Sequence, residues 1–138
     1  MEEAEALALA DRICEFLVSC GGNYGHVSNE MQWNVIHALA SDQFSMKEVA
    51  GEIVYFVSFW KIQPEDVEKI QHRIKPSDII RGSVVYVSEA GNKGTRKDLA
   101  EMITGIRLKT SNCTGVIWHR PVKQDKVYYF ARQKGKEV

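Results

Sequence analysis

The fold is decided by residues 83–118, which read SVVYVSEAGNKGTRKDLAEMITGIRLKTSNCTGVIW. Ser83–Ser88 is a short apolar run bounded by glycines, as is typical of a buried strand. A glycine-bearing turn follows at Ala90–Gly94, and Thr95 can cap a helix. Val116–Trp118 is again typical of a strand. The order strand, helix, strand predicts a right-handed crossover that joins two parallel strands.

The residues on either side complete this C-terminal unit. Lys126–Ala131 is predicted to be an antiparallel hairpin partner of the second strand, across the turn Pro121–Asp125. Ser111 and Asn112, with Gly115, are expected to end the helix. Helical spacing predicts that one stripe of this helix faces inward: Leu99, Met102, Ile103 and Ile106. The unit is therefore β-loop-α-β-β and occupies residues 81–138.

The preceding 80 residues are acidic and predicted to be mainly helical. Apolar residues at helical spacing between Ala6 and Cys20 predict a first helix, which the glycines at Gly21–Asn23 end. A second helix is predicted from about Glu30 to Ala40, and Pro64 is well placed to begin a further short one.

The segment Ser45–Trp60 fits two structures. Ser45–Glu48 has the form of a capping box, and apolar residues follow at helical period. Ile53–Trp60, however, is almost entirely β-branched or aromatic, which is the composition of a strand buried on both faces. We favour the helix, because the capping box and the period agree.

Together these elements predict an α+β fold in a single domain, residues 1–138. An acidic helical N-terminal half, residues 1–80, packs on a small mixed β-sheet from the basic C-terminal half, residues 81–138. A length of 138 residues with 44% hydrophobic residues is adequate for one core.

The net charge of zero conceals a strong asymmetry along the chain. Residues 91–138 hold eleven bases and four acids, a net charge of +7, whereas residues 1–90 hold seven bases and fourteen acids, a net charge of −7. Basic regions commonly bind the phosphates of nucleic acids or of nucleotide cofactors. The alternative is that the two halves pack together and neutralise each other.

Several classes of protein are disfavoured by composition. No apolar run approaches the length of a membrane span, and the N-terminus is acidic, unlike that of a signal peptide. Three cysteines without C-x-x-C spacing, and histidines without H-x-x-x-H spacing, give no indication of a disulfide framework or a metal site. We therefore expect a soluble, cytoplasmic protein without a metal.

The strongest local signal is the loop Gly91–Lys97 between the strand and the helix. Backbone N–H groups at a helix N-terminus, together with the positive end of the helix dipole, favour an anion. Glycines let a phosphate approach the backbone closely, and Lys93, Arg96 and Lys97 add positive charge. The spacing is neither that of a Walker loop nor that of a dinucleotide fingerprint.

The order strand, basic glycine-bearing loop, helix, strand and strand in residues 82–135 resembles the C-terminal half of the GNAT acyl-CoA N-acyltransferase superfamily. The resemblance is to its shortened phage-type and toxin-activating members in particular. In that family the equivalent loop binds the pyrophosphate of acyl-CoA through the pattern [QR]-x-x-G-x-[GA]. Gly94 matches the first glycine of the pattern. Arg96 occupies the position of the second glycine or alanine, and Gly91 that of the Gln or Arg.

This resemblance implies acyl transfer from acyl-CoA to an amine. The cofactor-binding residues would be those of the loop, Gly94, Thr95, Arg96 and Lys97. Glu89, at the end of the first strand, lies where some family members place a catalytic base. His119 on the next strand is the other candidate, because histidine titrates near neutral pH.

Two other functions stay open. Residues 96–106 resemble the first helix and turn of a helix-turn-helix, and the basic hairpin Trp118–Arg132 resembles a wing or a platform for single-stranded nucleic acid. Only Arg107–Thr114 is then available for a recognition helix, which is short and contains poor helix formers. The third possibility is a non-catalytic interaction or structural protein that keeps the acyltransferase fold.

Overall fold

The computed structural model describes residues 2–21, 25–66, 82–120 and 126–131, with residues 118–120 and 126–131 described by their backbone only. A 3-10 turn, Pro64–Asp66, follows the second strand, and the remainder of the short helix predicted at Pro64 lies outside the described residues. The helices and strands follow the order α1 (Glu3–Ser19), α2 (Asn29–Ser41), β1 (Phe44–Val49), β2 (Glu52–Ile62), β3 (Val84–Asn92), α3 (Arg96–Lys109), β4 (Gly115–Arg120) and β5 (Lys126–Ala131).

The five described strands form one sheet in the order β1-β2-β3-β4-β5. Neighbouring strands are antiparallel except β3 and β4, which are parallel because α3 crosses between them. The predicted α+β fold, with a mixed sheet and a β-loop-α-β-β unit, is therefore confirmed.

The helices cover opposite faces of this sheet. Ile13 and Leu17 of α1 and Val35 of α2 pack around Phe56 of β2, and all four are fully buried. The next residue of β2, Val57, points to the other face and packs against Met102 of α3. Adjacent strand residues alternate between faces, so α1 and α2 lie on one side of the sheet and α3 on the other.

The helix that we favoured for Ser45–Trp60 is wrong, because this segment forms the hairpin of β1 and β2. Ala50 and Gly51 make the turn with φ angles of 52° and 81°. Two consecutive residues with positive φ are characteristic of a tight hairpin turn whose twist matches that of the strands. The β-branched and aromatic composition therefore outweighs the helical period, because burial on both faces of a central strand stabilises it more than a helix cap would.

Two smaller predictions in the C-terminal unit are also wrong, and the structure bears on the rival helix-turn-helix. The turn expected at Ala90–Gly94 begins later, because β3 continues to Asn92. Of the four α3 residues expected to face inward, Leu99 and Ile103 are 41% and 43% exposed. No second helix of a helix-turn-helix follows α3 within residues 82–120, where a turn leads directly into β4.

Whether Ala50 lies in a hairpin turn or in a helix can be tested by a substitution that raises stability in the first case and lowers it in the second. Ala50→Asn is expected to stabilise the protein by about 0.5–1 kcal/mol, because asparagine tolerates the left-handed conformation that alanine resists and Asn-Gly is a favoured hairpin turn. In a helix the same change costs about 0.5 kcal/mol. Ala40→Asn, an exposed position of α2, is the matched helical control, and chemical denaturation measures both. A loss of stability in Ala50→Asn contradicts the hairpin.

Candidate functional site

The parallel strands β3 and β4 separate partway along their length. Their pairing begins at Val84 with Gly115 and ends at Val87 with Trp118. β3 continues to Asn92, and its last five residues pair with no described residue of β4. In sheets of this kind, ligands bind in the crevice outside the carboxyl ends of parallel strands. The separation therefore opens a candidate cleft between β3 and β4.

A β-bulge in β3 lies directly at this separation. Ser58 of β2 pairs with Glu89, but the next residue, Phe59, pairs with Val87, so that Ser88 is the extra residue. The Oγ atoms of Ser58 and Ser88 are 2.7 Å apart, and Asn34 of α2 donates a hydrogen bond of 2.9 Å to Glu89 Oε2. Such bulges redirect side chains next to functional sites. Here the bulge turns Glu89 toward the helix pair α1 and α2.

Glu89 is a buried carboxylate that acts on its ionisable neighbours. Its exposed fraction is 7%. Burial raises the pKa of the Tyr86 hydroxyl to about 12, with Glu89 and Glu30 contributing further. Burial likewise raises the pKa of the Cys14 thiol to about 11, helped by Asp11 and Glu89. Both groups therefore keep their protons at neutral pH.

His119 lies on the other side of the separation. It is one residue beyond the last pair of β4 with β3, and its backbone pairs with Val127 of β5. The two predicted bases thus lie on the two strands that separate, Glu89 on β3 and His119 on β4. The side chain of His119 is outside the described residues.

The predicted anion loop leads into α3 through a capping box. The N–H of Thr95 donates to Asp98 Oδ2 at 2.8 Å, and the N–H of Asp98 donates to Thr95 Oγ1 at 3.3 Å. Earlier in the loop, the N–H of Gly94 donates to Asn92 Oδ1 at 2.9 Å. These three amides are therefore satisfied within the loop itself.

Two backbone amides are left for a ligand. The first intrahelical bond runs from Leu99 N–H to Thr95 O, at 3.1 Å. Among the residues that the structure describes, the N–H groups of Arg96 and Lys97 have no acceptor. They lie in the first turn of α3, where the helix dipole favours an anion. The loop thus offers two adjacent N–H donors.

Gly94 has a steric role in this loop. A Cβ atom at this position would collide with the carboxylate of Asp98 and would lie 2.7 Å from Val54 Cγ1. A larger residue would therefore displace the loop from β2 and disturb the capping box. The structure gives a reason for glycine here that does not require direct contact with a ligand.

Lys47 of β1 is a residue that the sequence analysis missed. Its Nζ lies 2.8 Å from Asp98 Oδ1 and 3.1 Å from Glu101 Oε2. The hydrogen bond from Lys47, followed by that from the backbone of Thr95, lowers the pKa of Asp98 to about 2. Both acids of α3 are therefore turned toward the sheet. Lys47 and Asp98 are 51 positions apart, so no local motif could reveal the pair.

The bases of the loop lie on the opposite, solvent side. Lys93, Arg96 and Lys97 are exposed, and none of them pairs with an acid in the described part of the chain. With Asp98 and Glu101 paired to Lys47, the exposed groups of the loop at the start of α3 are mainly basic.

A cleft of about 390 Å³ lies at the opposite end of α3. Its lining includes Asp42 and Lys109, whose side chains form an ion pair of 2.8 Å. The described residues include no group of three His, Cys, Asp or Glu side chains that could hold a metal ion. None of the described helices is long and apolar enough to cross a membrane.

Comparison with solved structures identifies the fold. The chain is similar to the structure "GphF GNAT-like decarboxylase in complex with isobutyryl-CoA", with a TM-score of 0.55 and 11% sequence identity, over 82% of this chain and 62% of that one. It thus spans less than two thirds of the decarboxylase. It also aligns with a ribosomal-protein-alanine N-acetyltransferase from Brucella melitensis, with a TM-score of 0.44 and 18% identity, over 90% of this chain and 74% of that one.

The first similarity, together with the strand order and the separation of β3 from β4, shows a GNAT-like, acyltransferase-like fold. No protein-family model and no curated protein matches the chain. The resemblance inferred from residues 82–135 is therefore confirmed at the level of the fold.

The capping box gives a pH-dependent prediction. The pKa of Asp98 is lowered from 3.8 to about 2 in the folded protein, so its contribution to stability is complete above about pH 4 and is lost as the pH falls toward 2. Asp98→Asn is expected to be less stable at neutral pH and to show a flatter decline of stability between about pH 4 and pH 2.

Denaturant unfolding at a series of pH values measures this decline, with Glu52→Gln as an exposed control. An acid limb in Asp98→Asn as steep as that of the unaltered protein contradicts the capping role.

Proposed function

We propose that this protein binds an acyl-CoA and transfers the acyl group to an amine. The observation that carries the proposal is the separation of the parallel strands β3 and β4 at the bulge that holds a buried carboxylate, Glu89. The helix terminus proposed to bind phosphate follows at the end of the same strand. One strand therefore links a site for the donor's phosphates to a site for its thioester.

The donor's phosphates bind at the start of α3 in this proposal. The N–H groups of Arg96 and Lys97 donate to phosphate oxygens, and Lys93 with the two side chains supplies positive charge. Gly94 and Thr95 shape the loop, because their own N–H groups are bonded within it. The similar GNAT-like decarboxylase forms a complex with isobutyryl-CoA, which supports a CoA thioester as the ligand of this fold.

The thioester lies in the cleft between β3 and β4. The nitrogen of the amine forms a bond to the carbonyl carbon, and the bond from that carbon to the CoA sulfur breaks. Glu89 accepts the proton that the nitrogen loses, and the departing thiolate takes up a proton to leave as the thiol. His119, on the facing strand, is the alternative base. The proton that the thiolate takes up comes from solvent, because Tyr86, whose pKa is raised to about 12, is a weaker acid than a thiol.

The role of the loop is tested by titration calorimetry with acetyl-CoA and with a longer acyl-CoA. Arg96→Gln and Lys97→Gln are each expected to weaken binding about tenfold, because each removes one charge-assisted contact with phosphate. Lys61→Gln, on β2 away from the loop, is the matched control and is expected to bind normally.

The corresponding acyl-pantetheine, which lacks the phosphates, separates the loop from the cleft. It is expected to bind the unaltered protein more weakly than acyl-CoA does, and to bind Arg96→Gln and Lys97→Gln as well as it binds the unaltered protein. Equal affinity for acyl-CoA in all the variants would mean that the phosphates of acyl-CoA bind at a site other than this loop. No binding of either acyl-CoA rejects the proposal.

A parallel titration with a mixed-sequence DNA oligonucleotide at two salt concentrations tests the rival function. Binding of phosphate backbone weakens steeply with salt. Salt-sensitive DNA binding without acyl-CoA binding would reassign the basic residues to nucleic acid. If neither acyl-CoA nor DNA binds, the remaining hypothesis is a non-catalytic interaction protein.

The role of Glu89 is tested by Glu89→Gln, which retains an oxygen to accept the hydrogen bond from Asn34. Acyl transfer to a panel of amines, followed by release of free CoA thiol, is expected to slow by about 10²–10⁴-fold, because the base is lost. Affinity for acyl-CoA is expected to be unchanged. A normal rate in this variant contradicts the role of Glu89 as the base and directs attention to His119.

A further inference from the structure

The outer face of α3 has no partner within the described residues and lacks acidic groups. Asp98 and Glu101, the two acids of the helix, both bond to Lys47 of β1. Opposite them, five residues recur at positions i, i+3, i+4, i+7 and i+11, and all five are exposed. They are Arg96, Leu99, Ala100, Ile103 and Arg107. This basic face, as we call it, has apolar residues at its centre and an arginine at each end.

An exposed face of α1 follows the same spacing with the opposite charge. It consists of Ala4, Leu7, Ala8, Asp11 and Glu15, and all five are exposed. Leu7 is 47% exposed although it is a large apolar residue. Glu3 adds an acid at the N-terminal end. This acidic face therefore has small apolar residues toward its N-terminal end and two carboxylates, Asp11 and Glu15, toward its C-terminal end.

The two faces cannot meet within one molecule. α1 packs on one side of the sheet, around Phe56, and α3 packs on the other, around Val57. The intramolecular neutralisation considered from the sequence therefore does not occur between these helices. Both faces are exposed in the part of the chain that the structure describes.

We propose that the basic face of α3 binds the acidic face of α1 of a second copy of this protein. Antiparallel packing with Glu15 beside Arg96 sets Asp11 beside Ala100 and Ala8 beside Ile103. It brings the N-terminal end of α1, with Glu3, near Arg107. The first and last residues of each face are 11 positions apart, a rise of about 17 Å, so the two faces match in length. Ala8 leaves room for the larger Ile103.

The geometry makes this contact head-to-tail. Each copy uses α3 on one side of its sheet and offers α1 on the other, so the contact joins two different surfaces. Contacts of this type build closed rings or open chains of copies. The opposite charges of the two faces attract each other and fix the direction of the helices.

Sedimentation velocity of the full chain over a range of concentrations tests this proposal. At low salt the mean mass is expected to rise with concentration, and added salt is expected to reduce it, because exposed ion pairs are screened. Glu15→Lys and Arg96→Glu are each expected to weaken association about tenfold or more, because each sets like charges together. Glu52→Lys, an exposed change of the same charge, is the matched control and should associate normally.

The decisive sample is an equimolar mixture of Glu15→Lys and Arg96→Glu. The lysine introduced on α1 of the first variant is repelled by an unaltered Arg96, but it pairs with the glutamate introduced on α3 of the second variant. The mixture is therefore expected to associate more strongly than either variant alone. A monomer at every concentration of the unaltered protein overturns the proposal. Association that Glu15→Lys leaves intact, or a mixture that stays monomeric, also overturns it.

Discussion

The bulge at Ser88 is the constraint on which the site depends. Without this extra residue, strand alternation would direct Glu89 to the face of the sheet that α3 covers. With it, Glu89 reaches Asn34 of α2 and is buried beneath the helix pair. The pairing of β3 with β4 also ends just before the bulge, at Val87. A single inserted residue thus coincides with the opening of the sheet and puts a carboxylate beside it.

The sheet also separates the charges of the chain. The acids of α3 are held against β1 by Lys47, which leaves its outer face and its N-terminal loop basic. The acidic face of α1 lies beyond the other side of the sheet. A net charge of zero therefore describes the composition of the molecule and not its surface. The same arrangement provides positive charge for a phosphate and a complementary surface for another copy.

The C-terminal unit was predictable because its signals are local. The apolar run of β3, the cap at Thr95 and the crossover rule together give the parallel pair, and Thr95 does cap α3. The hairpin of β1 and β2 could not be predicted in this way. An apolar strand that is buried on both faces also contains apolar residues at helical spacing. In addition, Ala50 is an unusual residue for a positive φ, so the turn gives no clear signal in the sequence. The bulge at Ser88 and the bond from Lys47 to Asp98 depend on register and on distant contacts, which no short pattern encodes.

The central claim is that the opening between β3 and β4, continuous with the start of α3, accepts an acyl-CoA. Its most direct test is to follow the backbone amide resonances of the labelled protein as acetyl-CoA is added. The account predicts shifts at Arg96 and Lys97 and at the bulge, Ser88 and Glu89, with the cleft near Lys109 unaffected. Shifts confined to that distant cleft or to β5, or none at saturating concentration, would contradict it.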